Sequence, residues 1–334
     1  MSDPNTAPPR FRPKTFPAPE FPPRRPALFA RMPPAVFPAL MGLLGLGLAL
    51  RRALPALSLP EQAAETVLGI AVALWAFAAL GYVVKILRRP AVVTEDLRVL
   101  PGRAGLAAGS LGLMLTAAAL VPYAPGLARG LLFAGLALHA VLAALILRYL
   151  IQAPPEGRGV TPVWHLHFVG FIIGALSALP LGMTGLAQGL FWISLAAAAA
   201  IWAVSLGQLI RRIPPAPLRP LLAIHLAPAS LLTTVAAGLG DRTMALICAG
   251  LAGLIALALL SGLRWITAAG FSALWGAFTF PLAALCSALY AIGADVTATL
   301  FLIVAVGAIP VIVLRILQAW AKGTLAAKTN AAEA

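Results

Sequence analysis

The chain is short of acid: ten Asp and Glu stand against 24 Lys and Arg in 334 residues. Charged residues make up only 10% and apolar ones 61%, so the polar surface that a water-soluble domain must expose is missing, and a soluble enzyme or binding module is excluded. There are only two cysteines, Cys248 and Cys286, and both fall inside apolar stretches, so neither a disulfide framework nor a thiolate metal site follows. Histidines are equally scarce, at 139, 165, 167 and 225. His165 and His167 are two residues apart and point about 200° away from each other on a helix, so they cannot chelate one metal together. GxSxG, HExxH and GxxxxGK[ST] are all absent, which leaves nucleophilic, metalloprotease and nucleotide-binding chemistry without a foothold. No cofactor or metal is expected, and the expectation is a protein that is not an enzyme.

What the chain does have is long apolar sequence, with a mean hydropathy of +0.96. A bilayer-spanning helix needs about 20 mostly apolar residues. Ten such runs can be marked, at about 35–50, 64–86, 104–122, 127–149, 162–182, 188–210, 218–238, 243–263, 270–292 and 297–319. The fold class is therefore an all-α membrane protein with ten transmembrane helices. Residues 1–33 read as a Pro-rich basic cytoplasmic tail with no apolar core of a signal peptide. Residues 34–320 read as the membrane domain, and 321–334 as a short cytoplasmic C-terminal tail.

The net charge of +14 would suggest nucleic acid in a soluble protein. Here the basic residues lie between apolar runs and act as topology signals, so no nucleic-acid partner is expected. An even helix count puts both termini on one side. Twenty of the basic residues then fall on that side and only Arg51, Arg52, Arg129 and Arg242 on the other. This asymmetry fits the positive-inside rule with both termini cytoplasmic, and nine or eleven helices would scramble it.

Proline divides the runs into two sets. The odd ones each carry one, in Phe37-Pro38, Val121-Pro122, Leu179-Pro180, Ala227-Pro228 and Phe280-Pro281, whereas among the even ones only the tenth does, at Pro310. Proline removes a backbone hydrogen bond, and in a membrane the freed groups are tolerated where the helix is buried in protein or faces water. The expected architecture is five helical hairpins around a central pore, with bent odd helices lining it at Pro38, Pro122, Pro180, Pro228 and Pro281, and straighter even helices outside.

The acidic residues lie in tails, in loops or near run ends, with Glu65 the deepest, and no basic residue stands at the centre of a run. A pore of this kind holds no negative charge to repel anions, and exposed backbone amides favour them. His225, in the proline-broken seventh run, is a possible pore-facing residue. Gly238-Leu239-Gly240-Asp241 spells the GxGD of intramembrane aspartyl proteases, whose chemistry needs a second carboxylate. The only remaining candidate, Asp295, shares its place at a run end, and a glycine-rich turn is the plainer reading. More informative is Trp275-Gly276-Ala277-Phe278-Thr279-Phe280-Pro281, which sets large rings before a proline in a run of small residues. A ring entering a narrow pore would close it sterically and by dewetting.

Three stretches are similar to a known family. Arg31 to Arg51 (RMPPAVFPALMGLLGLGLALR) resembles the first helix of the tellurite-resistance/dicarboxylate transporter (TDT) family, which includes bacterial TehA and the plant slow anion channels. Arg219 to Ser230 (RPLLAIHLAPAS) is similar to its seventh helix, and Trp275 to Pro281 to its ninth. The resemblance spans about residues 30 to 320 and departs at Gly276, where a second aromatic commonly follows the tryptophan. It implies five hairpins around a pore, a homotrimer with one pore per subunit, and a phenylalanine gate on the ninth helix, carried here to Phe280 with Phe278 as the fallback. The functional expectation is a TehA-type anion channel in the bacterial inner membrane, linked by resemblance to tellurite resistance, that passes small anions through a neutral pore, with lipid and small inorganic or organic anions as its partners. The alternative is a proton-coupled exporter of C4-dicarboxylates or sulfite.

Overall fold

The computed structural model describes residues 27–334, and the chain is helical throughout with no strand among them. Arg10, Arg12, Lys14, Arg24 and Arg25 of the basic tail lie outside the described residues. Nine helices among those described are long and apolar enough to cross a membrane. They are built on α1 (Phe37–Ala56), α2 (Gln62–Arg88), α4 (Leu100–Leu120), α5 (Pro125–Gln152), α7 (Thr184–Arg211), α8 (Leu226–Gly238), α9 (Arg242–Ser261), α11 (Gly276–Ala291) and α12 (Asp295–Ala321). Short 3-10 segments at Pro34–Val36, Ala216–His225 and Ala273–Trp275 lead into α1, α8 and α11. Four shorter helices, α3 (Val92–Arg98), α6 (Ile172–Ala178), α10 (Leu263–Ile266) and α13 (Thr324–Lys328), complete the set.

The fifth apolar run departs from the expected continuous helix. It folds as a π-helical turn, His165–Val169, followed by α6. Gly170 sits at the break, where an added Cβ would lie 2.5 Å from the Leu166 carbonyl oxygen and 2.6 Å from the Leu111 side chain. The π turn packs so closely against its neighbours that only glycine fits between them, and π insertions of this kind concentrate at functional sites.

Burial separates the helices into two layers. In the apolar windows of the segments built on α1, α4, α8 and α11, 72%, 78%, 78% and 56% of the residues are buried, against 22% to 33% for α2, α5, α7, α9 and α12. The outer set turns side chains such as Leu80, Ile193, Leu254 and Ile303 away from the bundle, the apolar face that a lipid-exposed helix presents. Inside, small residues set the spacing. An added Cβ on Gly42 of α1 would overlap the Thr279 side chain of α11, and Thr279 Oγ1 donates to the Gly276 and Pro38 carbonyls at 2.8 and 3.2 Å. Close approach of this kind is how helices associate where no hydrophobic force acts between them.

Four of these five prolines take places other than the expected bends. Pro38 lies in the first turn of α1, where its missing N–H costs nothing. Pro122 and Pro180 fall in the turns after α4 and α6, ending helices instead of bending them. Pro228 stands at the third residue of α8, just past the 3-10 segment, and only Pro281 is interior to its inner helix, α11. Spacing from a neighbouring loop cannot distinguish a proline that stops a helix from one that kinks it.

At the end of the bundle where residues 27–33 meet the chain after α13, Lys85 and Asp96 are wholly buried and paired at 2.9 Å. Lys85 Nζ also donates to the Met32 carbonyl, while Asp96 accepts from the Tyr82 hydroxyl at 2.8 Å and from the Ala332 amide at 2.8 Å. Nearby, the Arg89 fork bonds Glu95 and holds that carboxyl below its ordinary value. The chain after α13 folds back over this site, where Glu333 pairs with Arg31 and the Ala334 amide donates to the Ala30 carbonyl. Ala30 and Met32 are buried, so the folded unit begins before residue 34, and residues 321–334 are packed onto it. Removing one partner of a buried pair strands the other, at a cost of about 3–5 kcal/mol, whereas an exposed pair contributes about 1 kcal/mol or less. Asp96→Asn should therefore lower the apparent melting temperature in detergent strongly and Glu333→Gln only slightly; equal effects would contradict the assignment.

Candidate pore

α1, α4, α6, α8 and α11 converge on one side chain. Phe280 of α11 is 5% exposed and borders two cavities that lie on either side of it. One, of about 290 Å³, lies toward the end that carries Arg51 and is lined by Gly45, Leu48, Ala118, Thr234 and Ser287 among others. The other, of about 40 Å³, lies toward the opposite end, among Pro38, Ala104, Leu166, Ile224 and Ala277. A void of about 20 Å³ beside His165 and Pro228 also touches the ring. Every one of these residues belongs to the inner layer or to the segments leading into it.

The ring is held by what surrounds it. Gly45 of α1 faces it, and a Cβ there would come within 2.8 Å of Phe280 Cδ2. Pro281 follows and denies the Ala277 carbonyl its i→i−4 partner. Phe278 takes a different position, edge-on to Trp275 at 5.7 Å, and borders neither cavity. Gly276 is buried against Pro38 and Ala39 of α1, at 3.4 and 3.5 Å from where its Cβ would be. These are ordinary van der Waals distances, which place the start of α11 directly against the start of α1.

No acidic residue lines either cavity. The lining is not neutral, however, because Arg51 and Arg52 stand at the larger cavity. Arg51 is occupied: Nε and Nη2 donate to Glu65 at 2.7 and 2.6 Å, and Nη1 and Nη2 to the Ala118 and Ala119 carbonyls at 3.3 and 3.0 Å. Arg52 is exposed and makes no ion pair or side-chain hydrogen bond among the described residues. Both arginines follow the first apolar run, as topology signals do, but α1 continues through them to Ala56 and carries them onto the cavity wall.

The histidines lie to one side of this axis. His225 bonds His165, Nδ1 to Nε2 at 2.9 Å, and lines neither cavity that flanks Phe280. The histidine beside the ring is His165, on the π turn, while His225 faces a separate cavity of about 850 Å³ with Arg103, His167, Trp202 and Arg212. That space is larger than the two cavities flanking Phe280, but it reaches into α5, α7 and α9 of the outer layer and does not touch Phe280. His139 bonds Ser110 at 2.8 Å. No group of three or more His, Cys, Asp or Glu side chains suited to a metal occurs among the described residues. Asp241 caps α9, accepting from the Met244 amide at 3.0 Å, and Asp295 opens α12.

A bundle of helices long and apolar enough to cross a membrane, arranged in two layers, defines an all-α membrane protein. The family model for SLAC1, described as a voltage-dependent anion channel, matches residues 31–321, and the chain belongs to this family. Anion transport is accordingly its general activity. No curated protein matches the chain.

If Phe280 divides the two cavities, a cysteine placed at Ser287 should react with a membrane-impermeant thiosulfonate from the Arg52 side only. Wild type serves as the blank, since Cys248 and Cys286 are buried. Equal labelling from both sides would show that the ring does not separate them.

Proposed function

We propose that the protein is a passive anion channel of the TehA type, in which small anions move between the two cavities and the Phe280 ring occludes the path at rest. The single observation behind this reading is the position of Phe280 as the one aromatic side chain bordering both cavities. An apolar constriction blocks ions sterically and by dewetting, so displacing the ring is enough to open the path. With no acidic lining, selectivity would follow anion dehydration and pore width, and specificity would be loose. Transport of tellurite or of C4-dicarboxylates would then be a consequence of the same pore. The reading includes a bacterial inner-membrane location with both termini cytoplasmic, which makes the Arg52 end the outer one, and a homotrimer with a pore in each subunit.

A second reading is a secondary exporter that couples a weak acid to protons. The His165–His225 contact favours it, because it puts a titratable pair one side chain away from the ring. Planar bilayers separate the two. Under the channel reading, Phe280→Ala should raise chloride and nitrate conductance roughly tenfold or more over wild type, with a dicarboxylate lagging. If neither protein conducts, but proteoliposomes take up anion under a proton gradient and lose this in His165→Gln, the exporter replaces the channel.

A further inference from the structure

The larger of the two cavities beside Phe280 has basic side chains at its wall. α1 continues past its apolar part and brings two adjacent guanidinium groups to the cavity. Adjacent residues on a helix point about 100° apart, so one partner cannot serve both. Glu65 forks onto Arg51, and two carbonyls of α4 take its remaining donors. Arg52 has no acidic partner among the described residues. Glu61, at the start of α2, is the other acidic residue close to this end of α1, and it does not line the cavity. Asp241 and Asp295 belong to the turns opening α9 and α12 and do not line it either. Two hydroxyls do, Thr234 and Ser287. Thr234 is bonded to the Ser230 carbonyl, whereas Ser287 makes no hydrogen bond among the described residues and has its donor to spare.

We propose that Arg52, with the Ser287 hydroxyl, forms a binding site for one small inorganic anion at the outer mouth of the pore, where it concentrates anions before they meet Phe280. This rests on the channel reading for its role in conduction. A cavity of about 290 Å³ accommodates an anion together with several waters, each of which occupies about 30 Å³ in the liquid. The guanidinium is permanently charged and weakly hydrated, so it attracts anions without a proton step. One charge beside water holds an ion loosely, which conduction requires. A unit charge at roughly 5 Å in water enriches a monovalent anion about fourfold at low salt. Screening removes most of this near 1 M, where the Debye length is about 3 Å.

The test uses full-length protein carrying Phe280→Ala, with chloride varied from about 10 mM to about 1 M on each side in turn. Adding Arg52→Gln should reduce conductance about fourfold at low chloride on the Arg52 side and leave it unchanged near 1 M. Arg52→Lys should restore most of the loss, and Arg129→Gln, exposed on α5 and away from the cavity, should change nothing. An Arg52→Gln variant that matches its parent at low chloride, or an equal loss in Arg129→Gln, overturns the site. If the Phe280→Ala parent does not conduct, the channel reading fails on its own. The site is then decided by chloride-35 NMR line broadening on purified protein, which should fall in Arg52→Gln and Ser287→Ala; unchanged broadening in both overturns it.

Discussion

The structure depends on one approach: the glycine face of α1 against α11. Gly42 admits the Thr279 side chain and Gly45 admits the Phe280 ring, in each case because no Cβ stands in the way. In a bilayer the hydrophobic effect does not hold helices together, so the fit of small against large side chains decides how near two backbones come. The same contact fixes where the ring points. With α1 this close, the Phe280 ring is held between the cavities. Gly276 extends the contact by one turn, to Pro38 and Ala39, which ties the start of α11 to the start of α1.

Charge is arranged around this contact and kept out of it. At one end, the buried Lys85–Asp96 pair gathers the chain before α1, the ends of α2 and α3, and the segment after α13 into one hydrogen-bonded site. At the other end Arg51 is neutralised by Glu65 and Arg52 is left over. Between the two ends the cavity walls are apolar, alanine-rich or hydroxylated. An ion crossing such a region gains little from fixed charge once past the mouth, which suits a path that favours anions weakly and discriminates among them by dehydration.

Much of this was legible in the sequence, for physical reasons. Apolar runs of membrane length and the placement of Lys and Arg gave the helix order. The proline alternation pointed to the inner set that burial then separated from the outer one. Phe280 stood out because a large ring before a proline is conspicuous in a run of small residues. Other features were hidden. The π turn at His165–Val169 leaves no mark on apolar periodicity, and its cause, Gly170 wedged between Leu166 and Leu111, is a tertiary contact. Lys85 and Asp96 looked like loop charges because a run's last turn and a loop's first residues read alike. Arg52 looked like a topology marker because a sequence does not show how far a helix continues beyond its apolar part. His225 was placed toward the pore by its proline-broken segment, but the turn of that 3-10 helix points it at His165.

Under the channel reading, anions cross passively, past a ring and not through a titrating site. The most direct test is the reversal potential of the open protein under opposed chloride and pH gradients. The account requires it to follow the chloride equilibrium potential and to stay there when the pH gradient is inverted. A reversal potential that moves with the pH gradient would mean that protons are coupled to the anion, and would contradict it.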